Sequence, residues 1–304
     1  MVEKRTLGGI GAAILLSVSV AAKAAMPIPQ PPIPAQATPS IQLAPHRAIY
    51  DMTLGKAAAG ANVSDVRGRL VFDFTGSACE GYSLNTRLVT EIIDRDGKSM
   101  VTDLRSSTWE QARGERFRFN SSQYLNQRLS EQVVGLAARG KDGNAVNITI
   151  EKPKKKLTKL NAGSLFPTQH SLAILEAAQR GRDIVQANIY DGSEKGTKYF
   201  ETTTFIGKPV APGNAGFKAI PNSEKLDGLV SWPVSISYYE NKDGPSGGDE
   251  GTPTYELSFR LYANGVSRKL MIDYGNFSIT GELTRIDFAE PGKCIDVRKD
   301  KIPQ

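Results

Sequence analysis

Tyr82 to Ile92 reads YSLNTRLVTEI, and this stretch decides the fold class. Tyr82, Leu84, Thr86, Leu88, Thr90 and Ile92 share one parity, while Ser83, Asn85, Arg87 and Glu91 share the other. A period of two places the first set on one face of an extended strand and the second on the opposite face. The same alternation runs outward in both directions. Leu70, Phe72 and Phe74 oppose Arg69 and Asp73; Met100, Thr102 and Leu104 oppose Asp103 and Arg105. Phe117 and Phe119 oppose Arg116 and Arg118, and Val146, Ile148 and Ile150 oppose Asn147 and Thr149. In the second half, Phe200, Thr202 and Thr204 begin a new series, followed by Val230, Trp232, Val234, Ile236 and Tyr238. Tyr255, Leu257, Phe259 and Leu261 lead into Asn264-Gly265, a two-residue hairpin signal. Val266, Leu270 and Ile272 return from it, and Phe277 to Phe288 closes the run. About a dozen strands joined by short Gly, Asp and Asn turns are expected.

One helix interrupts them. Thr168 is placed to cap it, Gln169 to Arg180 carries Leu172, Ile174, Leu175 and Ala178, and Gly181 ends it. Its apolar stripe must be buried, so it covers or plugs the sheet. The expected fold is mainly β: a large antiparallel sheet curled into an open, incomplete barrel around this helix, which eases the problem of unpaired edges. A two-sheet sandwich fits the same periodicity.

Composition bounds the function. In 304 residues, 39% are hydrophobic and 23% charged. That is enough apolar material for one large core. A mean hydropathy of −0.32 is too polar for a multi-span membrane protein. Two His and two Cys cannot build a zinc ribbon or a His-rich metal site, and no cofactor is expected.

The N-terminus reads as an export signal. Lys4 and Arg5 precede an apolar run from Leu7 to Ala22, and Ala22 and Ala24 supply small residues for cleavage. Residues 1–24 are therefore a signal peptide. Their loss removes Lys4, Arg5, Lys23 and Glu3, two positive charges net from +6, leaving the rest near +4. Pro27, Pro29, Pro31, Pro32, Pro34, Pro39 and Pro45 make 25–45 an extended tether. Residues 46–304 form a single β-barrel-like domain. In an exported protein, Cys79 and Cys294 are expected to be oxidised to one disulfide, against the alternative of two buried thiols. Closing so long a loop restricts the unfolded chain by at most roughly 5 kcal/mol.

Motifs for chemistry are few, and no catalytic residue is assigned. Gly244-Pro245-Ser246-Gly247-Gly248 matches a nucleophile-elbow formula, but an acidic Gly- and Pro-rich loop follows where a helix is required. A secreted hydrolase is the reading this context disfavours. His46 borders the tether, and His170 sits in the first helical turn as a partly exposed polar residue. Glu91, Asp94 and Asp96 read as solvated turn residues. Lys152, Lys154, Lys155, Lys156 and Lys159 form the one dense basic cluster. It could meet anionic lipid headgroups or an acidic partner, or guard an exposed strand edge. Nucleic acid is not expected, because the charge is mild and no binding motif is present.

Several segments together carry a resemblance. They are APHRAIYDMTL at 44–54, GRLVFDFTGSACEGYSLNTRLVTEI at 68–92, SLFPTQHSLAIL at 164–175 and YELSFRLYANGVSRKLMIDYGNFSITGELTRID at 255–287. The chain resembles the cell-envelope integrity protein EipB family of Gram-negative bacteria, over essentially everything from His46 onward. The resemblance implies a periplasmic protein with a spiral-like β-barrel around a helix. It implies a disulfide that maps onto Cys79 and Cys294, a role in envelope integrity, and a periplasmic tetratricopeptide-repeat protein as partner.

A non-enzymatic protein that binds a lipid or acyl ligand, or a protein partner, is therefore the expectation. On the concave face of a curled sheet, Phe72, Leu84, Leu88, Trp232, Ile236, Leu257 and Phe259 are the candidate ligand residues. The alternative is an interaction scaffold without a ligand, working through a strand edge, the lysine cluster or the tether.

Overall fold

The structure, a computed structural model, describes residues 41–140, 145–160, 163–240 and 251–292. Eight strands come first: β1 (His46–Ala57), β2 (Asp65–Ser77), β3 (Gly81–Ile93), β4 (Ser99–Glu110), β5 (Arg116–Leu125), β6 (Arg128–Arg139), β7 (Val146–Lys152) and β8 (Lys156–Leu160). Helix α1 (Pro167–Gln179) follows. Then come β9 (Ile184–Ile189), β10 (Phe200–Ile206), β11 (Ser231–Glu240), β12 (Tyr255–Tyr262), β13 (Ser267–Asp273) and β14 (Phe277–Phe288). A four-residue helix, α2 (Glu224–Asp227), lies in the β10–β11 connection.

Consecutive strands pair antiparallel from β1 to β8 and from β9 to β14, and β14 pairs with β1 through Arg47–Asp287 and Met52–Gly281. The result is one 14-stranded sheet in the order β8 to β1, then β14 back to β9. The expected single antiparallel sheet is what forms, and its continuity excludes a two-sheet sandwich. Its edges, β8 and β9, are not joined to each other, so the barrel is open.

The curl follows from the core. Seven strand spacings separate β3 from β10. Laid flat, they would stand about 34 Å apart. Yet Tyr82 of β3, Ile206 of β10, Trp232 of β11 and Ile174 and Leu175 of α1 share one buried cluster. The sheet must therefore wrap around the helix. Burial of Ile174 and Leu175 stabilises this arrangement by about 1.5–3 kcal/mol each. A second cluster joins Ala48, Tyr50 and Met52 of β1 to Ile279, Leu283 and Ile286 of β14, with Leu226 of α2 beneath. A third gathers Phe117, Phe119, Val133 and Ile148 around Phe166 and Tyr190, which flank α1 and β9 in sequence. One wing of the sheet thus closes over segments belonging to the other end. The approach is tight. A Cβ on Gly135 would stand 2.5 Å from Phe119 Cζ, and one on Gly192 would stand 2.6 Å from the same ring.

Two local expectations are corrected. Helix α1 begins at Pro167, with Phe166 rather than Thr168 in the N-cap position and no capping side chain of its own. Pro167 needs no N–H acceptor and starts the helix early. Glu110, at the end of β4, supplies the missing acceptor: its carboxylate oxygens take the N–H groups of Thr168 at 2.7 Å and Gln169 at 3.0 Å. The helix ends as expected, with Gly181 at φ 69°. The second correction concerns the stretch read as tether. Its last residues belong to the folded body: Leu43 is buried, and Ala44 N–H donates to Asn264 C=O.

Candidate functional site

The outer face of β1–β4 is a ladder of solvated ions. Arg69 pairs with Asp51, and both Arg87 and Arg105 reach Asp103. Hydrogen bonds from those two guanidinium groups hold the Asp103 carboxyl down at about 2. Such a face offers nothing to an apolar ligand. The inner face does.

A pocket of about 140 Å³ opens there beside the first turn of α1. Phe72 and Phe74 of β2 and Leu84 of β3 form its floor. Leu43, Ala44 and His46 enter from the chain before β1, Pro167, Thr168 and Ser171 from α1, and Asn264 and Gly265 from the β12–β13 turn. Cavities of about 150 Å³ with apolar walls take up a molecule the size of benzene. The enclosed part therefore holds a short apolar segment, and a longer ligand must continue outside it.

An exit is present. In register, Leu70 lies opposite Leu88, and Leu88 opposite Leu104. These residues share the face of Phe72 and Leu84. Met100, Leu104 and Leu125 on that face are each 39% exposed. The apolar face thus runs on from the pocket through half-buried Leu70 and Leu88, which pack against the second cluster, to an exposed track at Met100, Leu104 and Leu125.

The pocket carries no charge of its own. His46 is buried, its Nδ1 lies 2.7 Å from Ala44 C=O, and its ring stacks on Phe72 at 5.5 Å. Burial lowers its pKa, so the ring is neutral at neutral pH. His170 points from α1 toward Thr204, with Nε2 at 3.5 Å from Oγ1. It is buried rather than partly exposed, and burial lowers it to about 4. Burial also raises the Glu110 carboxyl, against the helix N–H groups that favour its charged form.

The structure divides the seven expected ligand residues. Phe72 and Leu84 meet in the pocket, and Leu88 lies between it and the exposed track. Trp232 and Ile236 are buried against α1, where they pack the core and do not line this pocket. Leu257 pairs with Ile236 and does not line the pocket. Phe259 packs partly into the same core and borders a groove elsewhere. The sequence reading missed Leu43, His46, Ser171 and Asn264. Ile41 and Leu43, two apolar residues inside a Pro-rich polar stretch, were the available signal for the first of these.

The lysine cluster lies at a sheet edge. Lys152 ends β7, Lys154 and Lys155 make the turn, and Lys156 and Lys159 lie on β8, all exposed. Leu157 between them is 73% exposed. Asp94 and Asp96 are turn residues, and Asp94 Oδ1 accepts the N–H groups of Asp96 and Lys98, but Glu91 lies within β3, where it accepts the Ser99 hydroxyl, because the strand pairing runs on to Ile93. Ser246 and Cys294 lie outside the described residues, and Cys79 sits in the β2–β3 turn. Among the described residues no group of His, Cys, Asp and Glu is arranged to hold a metal ion.

Comparison with known proteins agrees with this architecture. The family model for EipB-like proteins matches residues 37–290. The cell envelope integrity protein EipB of Brucella abortus (strain 2308) is 37% identical over 264 residues, spanning 85% of this chain and 89% of that protein. A crystal structure of a β-barrel-like protein from Brucella abortus, a domain of unknown function, superposes with a TM-score of 0.75 at 34% identity. The match covers 82% of this chain and all of that one.

Proposed function

Because the chain belongs to the EipB-like family, we propose that it maintains cell-envelope integrity from the periplasm, as a non-enzymatic protein that holds an acyl chain beside α1. The relative's name supports the envelope role, and the export signal read from residues 1–24 supports the compartment. The observation that carries the ligand is the uncharged pocket between Phe72, Leu84 and Ser171, with the exposed track of Met100, Leu104 and Leu125 further along the same face. Each methylene removed from water contributes about 0.8 kcal/mol, so the pocket and track together reward a chain rather than a single ring. The lipid's polar head remains in solvent.

A fluorescent long-chain fatty acid tests the binding. It should bind the folded protein saturably, and Ser171→Trp, which fills the pocket mouth, should abolish its signal. Binding of equal strength to the Trp variant would refute the site. In cells, the same variant should fail to restore growth under detergent stress to a strain lacking the gene.

A second reading rests on the open edge. Strand β8 presents unpaired backbone, five lysines nearby and the exposed Leu157. A periplasmic tetratricopeptide-repeat protein is the partner proposed for that edge. Replacing Lys152, Lys154, Lys155, Lys156 and Lys159 with Gln should weaken cross-linking to it; unchanged cross-linking would remove the cluster from the interface.

A further inference from the structure

The outer face of β5–β8 differs in charge from the face beside it. On β1–β4 the arginines are matched to carboxylates, Arg69 to Asp51 and both Arg87 and Arg105 to Asp103. On β5–β8 the register sets out three rows. Arg116 of β5 leads through Ala138 and Asn147 to Lys159 of β8. Arg118 leads through Leu136 and Thr149 to Leu157, and Trp109 of β4 stands on its other side. Asn120 leads through Val134 to Lys152, which a register slip between Val134 and Gly135 turns onto this face. The three rows hold four cations and no carboxylate.

All four cations are exposed, and no ion pair engages any of them among the described residues. Lys154, Lys155 and Lys156 carry the same charge around the β7–β8 turn. Glu115 and Glu151 adjoin the rows in sequence, and Glu115 accepts the Gln111 side-chain amide rather than a cation. The positive excess is spread over four strands, about 14 Å of sheet. One small anion cannot reach cations that far apart, whereas a surface of repeated phosphates meets them all. Apolar groups stand among them. Leu157 is 73% exposed, and the half-buried Trp109 ring lies 5.6 Å from the Arg118 guanidinium in the same row. Aliphatic and indole groups framed by Lys and Arg suit the headgroup layer of an anionic bilayer, where the apolar parts sink and the cations stay with the phosphates.

We propose that the outer face of β5–β8 docks on an anionic lipid bilayer, with Arg116, Arg118, Lys152 and Lys159 on the headgroup phosphates and Leu157 and Trp109 set into the headgroup layer. The docking face is separate from the acyl pocket and stands whether or not that pocket takes a lipid. Sedimentation of the exported chain, without residues 1–24, with lipid vesicles tests it. Vesicles of equal parts phosphatidylglycerol and phosphatidylcholine should carry the protein down, pure phosphatidylcholine should not, and raised salt should release it. Arg116→Gln with Arg118→Gln should lower the vesicle affinity about tenfold or more, from the contribution of each cation beside an anionic surface. Both stand on β5, three strands from the free edge of β8, so this loss is not one of strand addition. Arg67→Gln with Arg69→Gln takes the same charge from the ladder on β2 and should change the affinity less than about twofold, because salt screens charges that do not face the bilayer. Leu157→Glu should weaken binding as well. In a Trp232→Phe protein, Trp109 is the one remaining tryptophan, and its emission should shift to the blue on anionic vesicles. No binding to those vesicles, equal weakening by the two arginine pairs, or an unshifted Trp109 emission would overturn the assignment. Binding to polyglutamate without binding to vesicles would also overturn it and would give the face to an acidic protein instead.

Discussion

The Glu110 carboxylate accepts the backbone N–H of Thr168 at 2.7 Å, so the last residue of β4 caps a helix that begins 57 positions later. The contact ties the helix that fills the barrel to the sheet that surrounds it. It also fixes the first turn of α1, where Thr168 and Ser171 form one wall of the pocket.

Removing that cap should loosen the helix. Glu110→Ala leaves the N–H groups of Thr168 and Gln169 without their acceptor, at a cost of about 1–3 kcal/mol. The melting temperature should fall by roughly 5 °C, and Glu110→Gln, which keeps one acceptor oxygen, should fall less. An unchanged melting temperature in the Ala protein would show that the helix does not depend on the cap.

Acid should destabilise the fold through its two buried histidines. His170 is lowered to about 4 in the folded protein, and His46 is lowered as well. The unfolded chain titrates its histidines near 6.5 and so binds more protons below that pH. Stability is therefore lost as pH falls from about 6.5 toward 4, by up to about 3 kcal/mol for His170. Glu110 acts in the opposite sense, because its raised carboxyl favours the folded state at low pH and loses that advantage as pH rises. Denaturant melts at several pH values should show a shallower acid slope for His170→Gln than for the parent. Parallel slopes would mean that His170 does not titrate with unfolding.

The seat of Phe119 should tolerate no added carbon. Gly135→Ala brings a methyl group within 2.5 Å of Phe119 Cζ. Overpacking of this kind costs about 1–3 kcal/mol. Stability should drop by that amount, and Phe119→Leu in the same protein should restore part of it. Additive losses would place the two residues out of contact.

Oxidation should clamp the body. Cys79→Ser, or reductant applied to the parent, should lower the melting temperature, while reductant should not affect the Ser protein. Identical melting of the parent with and without reductant contradicts a Cys79–Cys294 disulfide.

Strand alternation is a local property, which is why the YSLNTRLVTEI pattern was enough to reveal β3 and the parity of its inner face. The same parity cannot distinguish Phe72 from Trp232. Both point inward, and only the curl of the sheet places Trp232 beneath α1 and Phe72 beside a cavity. Strand β6, with SEQVVGLAAR, has small residues on both faces because Phe119 occupies the space above Gly135, so its alternation is blurred. Glu110 carries no signal of its capping role, since its partners are distant in sequence. His170 looked polar and exposed because the helix was read alone, without β10 packed against it.

The central claim is that the space beside α1 holds an acyl chain in the cell. Native mass spectrometry of protein released gently from its own envelope tests it most directly. A lipid adduct on the parent protein that is missing from Ser171→Trp, with both proteins folded, is the predicted result. Bare protein in both spectra, or the same adduct on both, would contradict it.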